Sequence, residues 1–206
     1  MFNAIKKSSM IMISALVLLA ACSNRDFEPE MEKKINDFSV TDQNGEPFEL
    51  ADLKGKVTLV DFIFTNCETV CPPMTFNMSK IQRMLADEGV TDYQIASFSV
   101  DPERDTPEVL KEYIAQYEAN EDNWFLLTGY DQKWISQLAA ESFSTIVFDE
   151  PDSDQVTHSV RFYLVDQNGT VVKSYFGTKT SADAEEVQYD LIVSDLKHLV
   201  KVGPVE

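Results

Sequence analysis

Val57 to Phe64, V-T-L-V-D-F-I-F, is a dense run of mostly β-branched and aromatic residues. β-Branched and aromatic residues packed this closely predict a strand covered on both faces, and therefore central in a sheet. A loop carrying Cys67 and Cys71 follows. Beyond it Met74, Met78, Ile81 and Leu85 recur at steps of four, three and four, the period of a helix with one buried face. Pro72-Pro73 suits a helix start, because the first helical N–H groups have no intrahelical partner to lose. Proline disfavours helical geometry in the residue before it, which places Cys71 in the loop rather than in the helix.

The remaining pattern reads in order. Phe38 to Leu50 is a hairpin turning at Asn44-Gly45, and Tyr93 to Val100 is a second strand of the main sheet. Thr106 caps a helix that begins at Pro107, with Val109, Leu110, Tyr113, Ile114 and Tyr117 as its apolar stripe. Trp124 to Thr128 is a strand, Asp131 to Phe143 a helix, and Thr145 to Phe148 a short strand. After the polar loop Glu150 to Gln155 comes a strand over residues 157 to 166, T-H-S-V-R-F-Y-L-V-D, which turns back at Asn168-Gly169. A last helix is expected from Ser181, as its cap, to about Val200, packing through Val187, Leu191, Ile192 and Leu199. Alternating strands and helices predict an α/β fold with a largely parallel core and an antiparallel late hairpin. Sites in open sheets of this kind form beyond the carboxyl ends of the strands, where Cys67 and Cys71 fall.

The amino terminus changes the compartment. Lys6 and Lys7, the apolar run Met10 to Leu19 and the small residues before Cys22 describe an export signal over residues 1–21. The run is too short for an ordinary membrane-spanning helix. Leu19-Ala20-Ala21-Cys22 resembles a bacterial lipobox, which implies cleavage before Cys22 and a lipid on its sulfur; the alternative is a plain secretory signal. Residues 22–36 read as a polar tether and 37–206 as one domain. The net charge of −18 disfavours nucleic acid and anionic lipid, so membrane attachment would come from acyl chains. With Cys22 lipidated, Cys67 and Cys71 are the only free thiols, in a compartment where disulfides persist. A loop closed by three intervening residues stabilises a fold little, which argues against a purely structural disulfide.

Helix-end potential lowers thiol pKa, favouring a thiolate that attacks disulfides or binds metal. Of the two histidines, His198 sits near the end of the last helix and is expected to be structural, while His158 follows the acidic loop and can face a neighbouring loop. Thiolates suit Cu(I) and an imidazole also suits Cu(II), although zinc can take the same three donors with a water. Met74 and Met78 read as core residues rather than thioether ligands. Arg104 reads as a salt-bridged turn residue, and Asp149, Glu150, Asp152 and Asp154 as solvated acids that would steer a cationic partner.

F-I-F-T-N-C-E-T-V-C-P-P-M, followed by S-V-D-P-E-R-D-T-P and T-H-S-V-R-F-Y-L-V-D, closely resembles the Sco (SenC) copper proteins of cytochrome c oxidase assembly. The likeness spans about Asn36 to Leu199. It implies a thioredoxin-like fold, a central mixed sheet flanked by helices with an added N-terminal β-hairpin. It also implies one copper ion held by Cys67, Cys71 and His158. The implied partner is the copper-bearing oxidase subunit, with another copper chaperone or a thiol reductase as further candidates. The implied role is a metallochaperone rather than an enzyme, anchored outside the cytoplasm. The alternative is a thiol-disulfide oxidoreductase in which Cys67 and Cys71 form a redox-active pair keeping the oxidase's copper-ligand cysteines reduced. Glu68 departs from the proline common after the first cysteine. Thioredoxin-like reductases have two residues between their cysteines and usually a cis-proline opposite; this chain has three and Thr157-His158-Ser159. Thr65 and Arg104 do not form the familiar peroxidase pattern.

Overall fold

The computed structural model describes residues 27–181 and 185–205. Along the chain lie β1 (Lys33–Lys34), β2 (Ser39–Thr41), β3 (Pro47–Glu49), α1 (Leu50–Leu53), β4 (Val57–Ile63), α2 (Cys71–Asp87), β5 (Tyr93–Ser99) and α3 (Pro107–Ile114). After two 3-10 turns come β6 (Trp124–Leu127), α4 (Gln132–Phe143), β7 (Phe148–Asp149), β8 (Val156–Thr157), β9 (Arg161–Val165), β10 (Thr170–Phe176) and α5 (Tyr189–Val202). Six strands form the main sheet in the order β1-β10-β9-β4-β5-β6.

β4 is the centre the apolar run predicts. It pairs in parallel with β5, Val57 opposite Tyr93 through Ile63 opposite Ser99, and antiparallel with β9, Thr58 opposite Val165. Every residue of β4 and β5 is buried, because helices cover both faces. Met74, Met78, Ile81 and Leu85 of α2 are fully buried, which settles both methionines as core. The hairpin β2–β3 is joined to β6 by the Thr41–Thr128 bridge. Thr106 caps α3, its side chain accepting from the Val109 N–H, and Asp131 caps α4 through the Trp134 N–H. Among the described residues no helix is long and apolar enough to cross a membrane.

Four elements differ from expectation. Cys71 is the first residue of α2, not a loop residue; Pro72 and Pro73 are tolerated in that first turn because the N–H groups they lack would have no helical acceptor. The last helix begins at Tyr189 rather than Ser181. The strand expected over 157–166 is two strands: β8 pairs with β7, β9 with β10 and β4, and His158 lies in the crossing between them. The short strand expected at 145–148 is Phe148–Asp149. Of the expected tether, the described part lies on the domain: Glu30 and Met31 donate to the Val172 carbonyl, β1 adds to the free edge of β10, and Ile35 is buried.

Candidate metal centre

Three elements converge beyond the carboxyl end of β4. The strand delivers Phe64, Thr65, Asn66 and Cys67 into a loop, α2 opens with Cys71, and the β8–β9 crossing brings in His158 just before β9, the antiparallel neighbour of β4. One ligand atom from each of Cys67, Cys71 and His158 lies within 4.8 Å of the others. Cys71 is fully buried and Cys67 nearly so, and both are free thiols. His158 Nε2 is 3.3 Å from Cys71 Sγ. Its Nδ1–H donates to the Ser159 carbonyl at 2.9 Å, which leaves the Nε2 lone pair directed at the sulfurs, the tautomer a metal ligand requires. Phe64 packs edge-on against the imidazole.

The two thiols are not equivalent. Cys67 Sγ accepts from the Cys71 N–H at 3.4 Å. A hydrogen bond from the Cys71 thiol, then contacts from His158 and from the Cys71 and Thr69 backbone, outweigh burial and hold Cys67 far below the usual thiol range. Burial first, then the hydrogen bond and charge of Cys67, push Cys71 far above it. Cys67 is thus the more acidic of the two thiols and Cys71 the less acidic. Sulfur, sulfur and nitrogen in a dry cleft fit a soft or borderline metal ion.

Neighbouring residues brace this arrangement. Asp105, fully buried, accepts from the Thr65 Oγ1–H and the Ser99 Oγ–H, both at 2.6 Å. It ties the turn after β5 to the Cys67 loop, and burial raises its pKa. Arg104 pairs with Asp101 at 3.5 Å, the turn-fixing role its neighbours suggest, and also reaches Asp154. Thr65 and Arg104 are thus engaged with Asp105 and with Asp101 and Asp154. Asp61 sits in β4, fully buried, with no hydrogen-bond partner on either oxygen among the described residues. Desolvation pushes its carboxyl up to about 6, the neighbouring Ser97 and His158 offsetting only part.

His198 stands apart from the group and stacks on Phe27. Cys22 lies outside the described residues. Glu68 is exposed in the loop between the cysteines. Sequence reasoning missed the bracing by Asn66, Asp105 and Asp154; an acid inside the apolar run of β4 was the one visible sign of Asp61.

Fold and site together define a thioredoxin-like domain that presents two cysteines and a histidine at one sheet end. The chain belongs to the SCO1/SenC family, whose family model matches residues 27–191. It is similar to a SCO1/SenC family lipoprotein of Bacillus anthracis, at 43% identity and a TM-score of 0.77 over 84% of this chain and 99% of that one. BsSco of Bacillus subtilis, a cytochrome c oxidase assembly protein in which a disulfide switch has been identified, is 44% identical with a TM-score of 0.75, covering 86% and 98%. Copper-bound ScoI of Bradyrhizobium japonicum is 29% identical with a TM-score of 0.65, covering 80% and 98%.

Proposed function

We propose that this chain is a copper carrier, lipid-anchored outside the cytoplasm through Cys22, that supplies the binuclear copper centre of cytochrome c oxidase. The observation that carries this reading is the grouping of Cys67, Cys71 and His158 donor atoms within 4.8 Å. Copper is the cargo. The two sulfurs suit Cu(I), and the imidazole adds a donor suited to Cu(II), so one site can hold either state. Loading displaces the proton that burial keeps on Cys71. The similarity to copper-bound ScoI and to the Bacillus anthracis lipoprotein supports the cargo and the anchor.

A second reading has its own observation, the low pKa of Cys67 beside a protonated Cys71. In that role the Cys67 thiolate attacks a partner disulfide, and the partner leaves as a thiolate. Cys71 then passes its proton to the released partner thiolate and attacks Cys67 Sγ of the mixed disulfide, releasing the second partner thiolate. The partner gains two electrons, and a Cys67–Cys71 disulfide remains. That disulfide no longer offers two thiolates to copper, so the two roles exclude each other in time.

The test mixes copper-loaded protein with the metal-free, reduced copper domain of the oxidase and follows the absorbance of the binuclear centre. A carrier builds the centre stoichiometrically. A dedicated reductase builds none, yet reduces the same domain when its cysteines are first oxidised.

A further inference from the structure

The acidic loop before His158 is not free. Asn66, the residue before Cys67, donates from Nδ2 to Asp154 Oδ2 at 3.0 Å, while Gln155 Nε2 donates back to the Asn66 carbonyl at 3.3 Å. Arg104 Nη1 donates to the Asp154 carbonyl at 3.1 Å and lies 3.6 Å from its carboxylate. Arg104 is itself fixed, because Asp105 next to it is buried on Thr65 and Ser99. Asp154 is therefore held from two directions, both rooted in the loop and turn that support Cys67.

The segment has other anchors on either side of His158: Val156 is buried in the core, and the Gly177 N–H donates to the Val160 carbonyl at 2.8 Å. Strands β7 and β8 are two residues each, and the loop's own ties are Glu150 N–H to the Gln155 carbonyl and Thr157 Oγ1–H to Glu150. His158 follows β8 directly, so the hold on residues 154–155 bears on where the imidazole stands.

We propose that Asp154, gripped by Asn66 and Arg104, is a positioning residue that holds the His158 segment closed over the two thiols. The proposal rests on the copper-carrier reading for its consequence: opening the clasp removes the imidazole and leaves both sulfurs where α2 and the Cys67 loop put them. Cu(II) retention depends on the clasp, and Cu(I) retention does not. Arg104 and Asp154 are both well exposed, so their charge attraction alone contributes little; the directional hydrogen bonds carry the effect.

Three full-chain variants test it: Asn66→Ala, which changes no charge, Arg104→Met, and Asp154→Asn, which keeps a side-chain oxygen to accept from Asn66 and the backbone carbonyl that accepts from Arg104. Modification of His158 by diethyl pyrocarbonate in the reduced, metal-free protein reads the segment directly, with His198 as internal reference. Asn66→Ala and Arg104→Met should each speed His158 modification several-fold while His198 is unchanged, and Asp154→Asn should stay near the parent. Chelator competition should show Cu(II) affinity falling about tenfold in Asn66→Ala and Cu(I) affinity changing less than about twofold. Unchanged His158 modification in both clasp variants overturns the proposal, as does a parallel loss of Cu(I) and Cu(II) affinity. A parent that binds no copper would sink the carrier reading alone, since the modification rates still decide the clasp.

Discussion

At the scale of single residues, the asymmetry between Cys67 and Cys71 has a direct readout. Cys67 stays ionised throughout mildly acidic and neutral pH, so alkylation of the reduced, metal-free protein by iodoacetamide should be nearly flat between pH 5 and 8. An ordinary thiol would react roughly tenfold faster per pH unit over that range, and such a rise at Cys67 would contradict its lowered pKa. Asp61 gives a stability signature of definite sign. Its pKa rises from 3.8 to about 6 on folding, so the folded state favours the protonated form. Its favourable contribution is complete below pH 3.8 and is lost as pH rises through about 6, a loss of about 3 kcal/mol. Denaturant unfolding at pH 4.5 and 7.5 should therefore show a smaller loss on raising pH in Asp61→Asn than in the parent. Equal losses would mean that Asp61 is better solvated than its burial indicates. The two thiols stood out by residue type and order, whereas His158 joined them as a ligand through the resemblance to the Sco proteins. Asn66 and Asp154 did neither, because a hydrogen bond across 88 positions leaves no mark in local pattern.

At the scale of elements, β4, β5 and α2 were legible because their apolar positions follow one period and tertiary packing agrees with it. The strand around His158 breaks because its two ends pair with different partners. Glycine marks a junction that pattern reading passed over. Gly129 follows the Thr41–Thr128 bridge with φ +86°, and a Cβ there would sit 2.9 Å from Thr41 Oγ1. Gly129→Ala combines left-handed strain with that clash, so it should destabilise the domain by about 1–3 kcal/mol, seen as a lower denaturant midpoint. An unchanged midpoint would show that the hairpin β2–β3 is only loosely held to β6.

At the scale of the whole molecule, the sheet separates what holds from what works. One end carries the two thiols and the imidazole, while the far edge takes in β1 and the chain leading to the proposed anchor. The net charge of −18 favours approach of cationic cargo and partners and disfavours contact with anionic lipid. Anchoring through Cys22 predicts that Cys22→Ser moves the protein out of the membrane fraction; retention there would point to another attachment. The central claim, that three donors act as one copper site, is tested most directly by titrating reduced protein with Cu(II) and following sulfur-to-copper charge transfer. The account predicts an intense band saturating at about one equivalent, abolished in Cys67→Ser and Cys71→Ser and lost or strongly weakened in His158→Ala. A band that is absent in the parent, or that forms with undiminished affinity in His158→Ala, would contradict it.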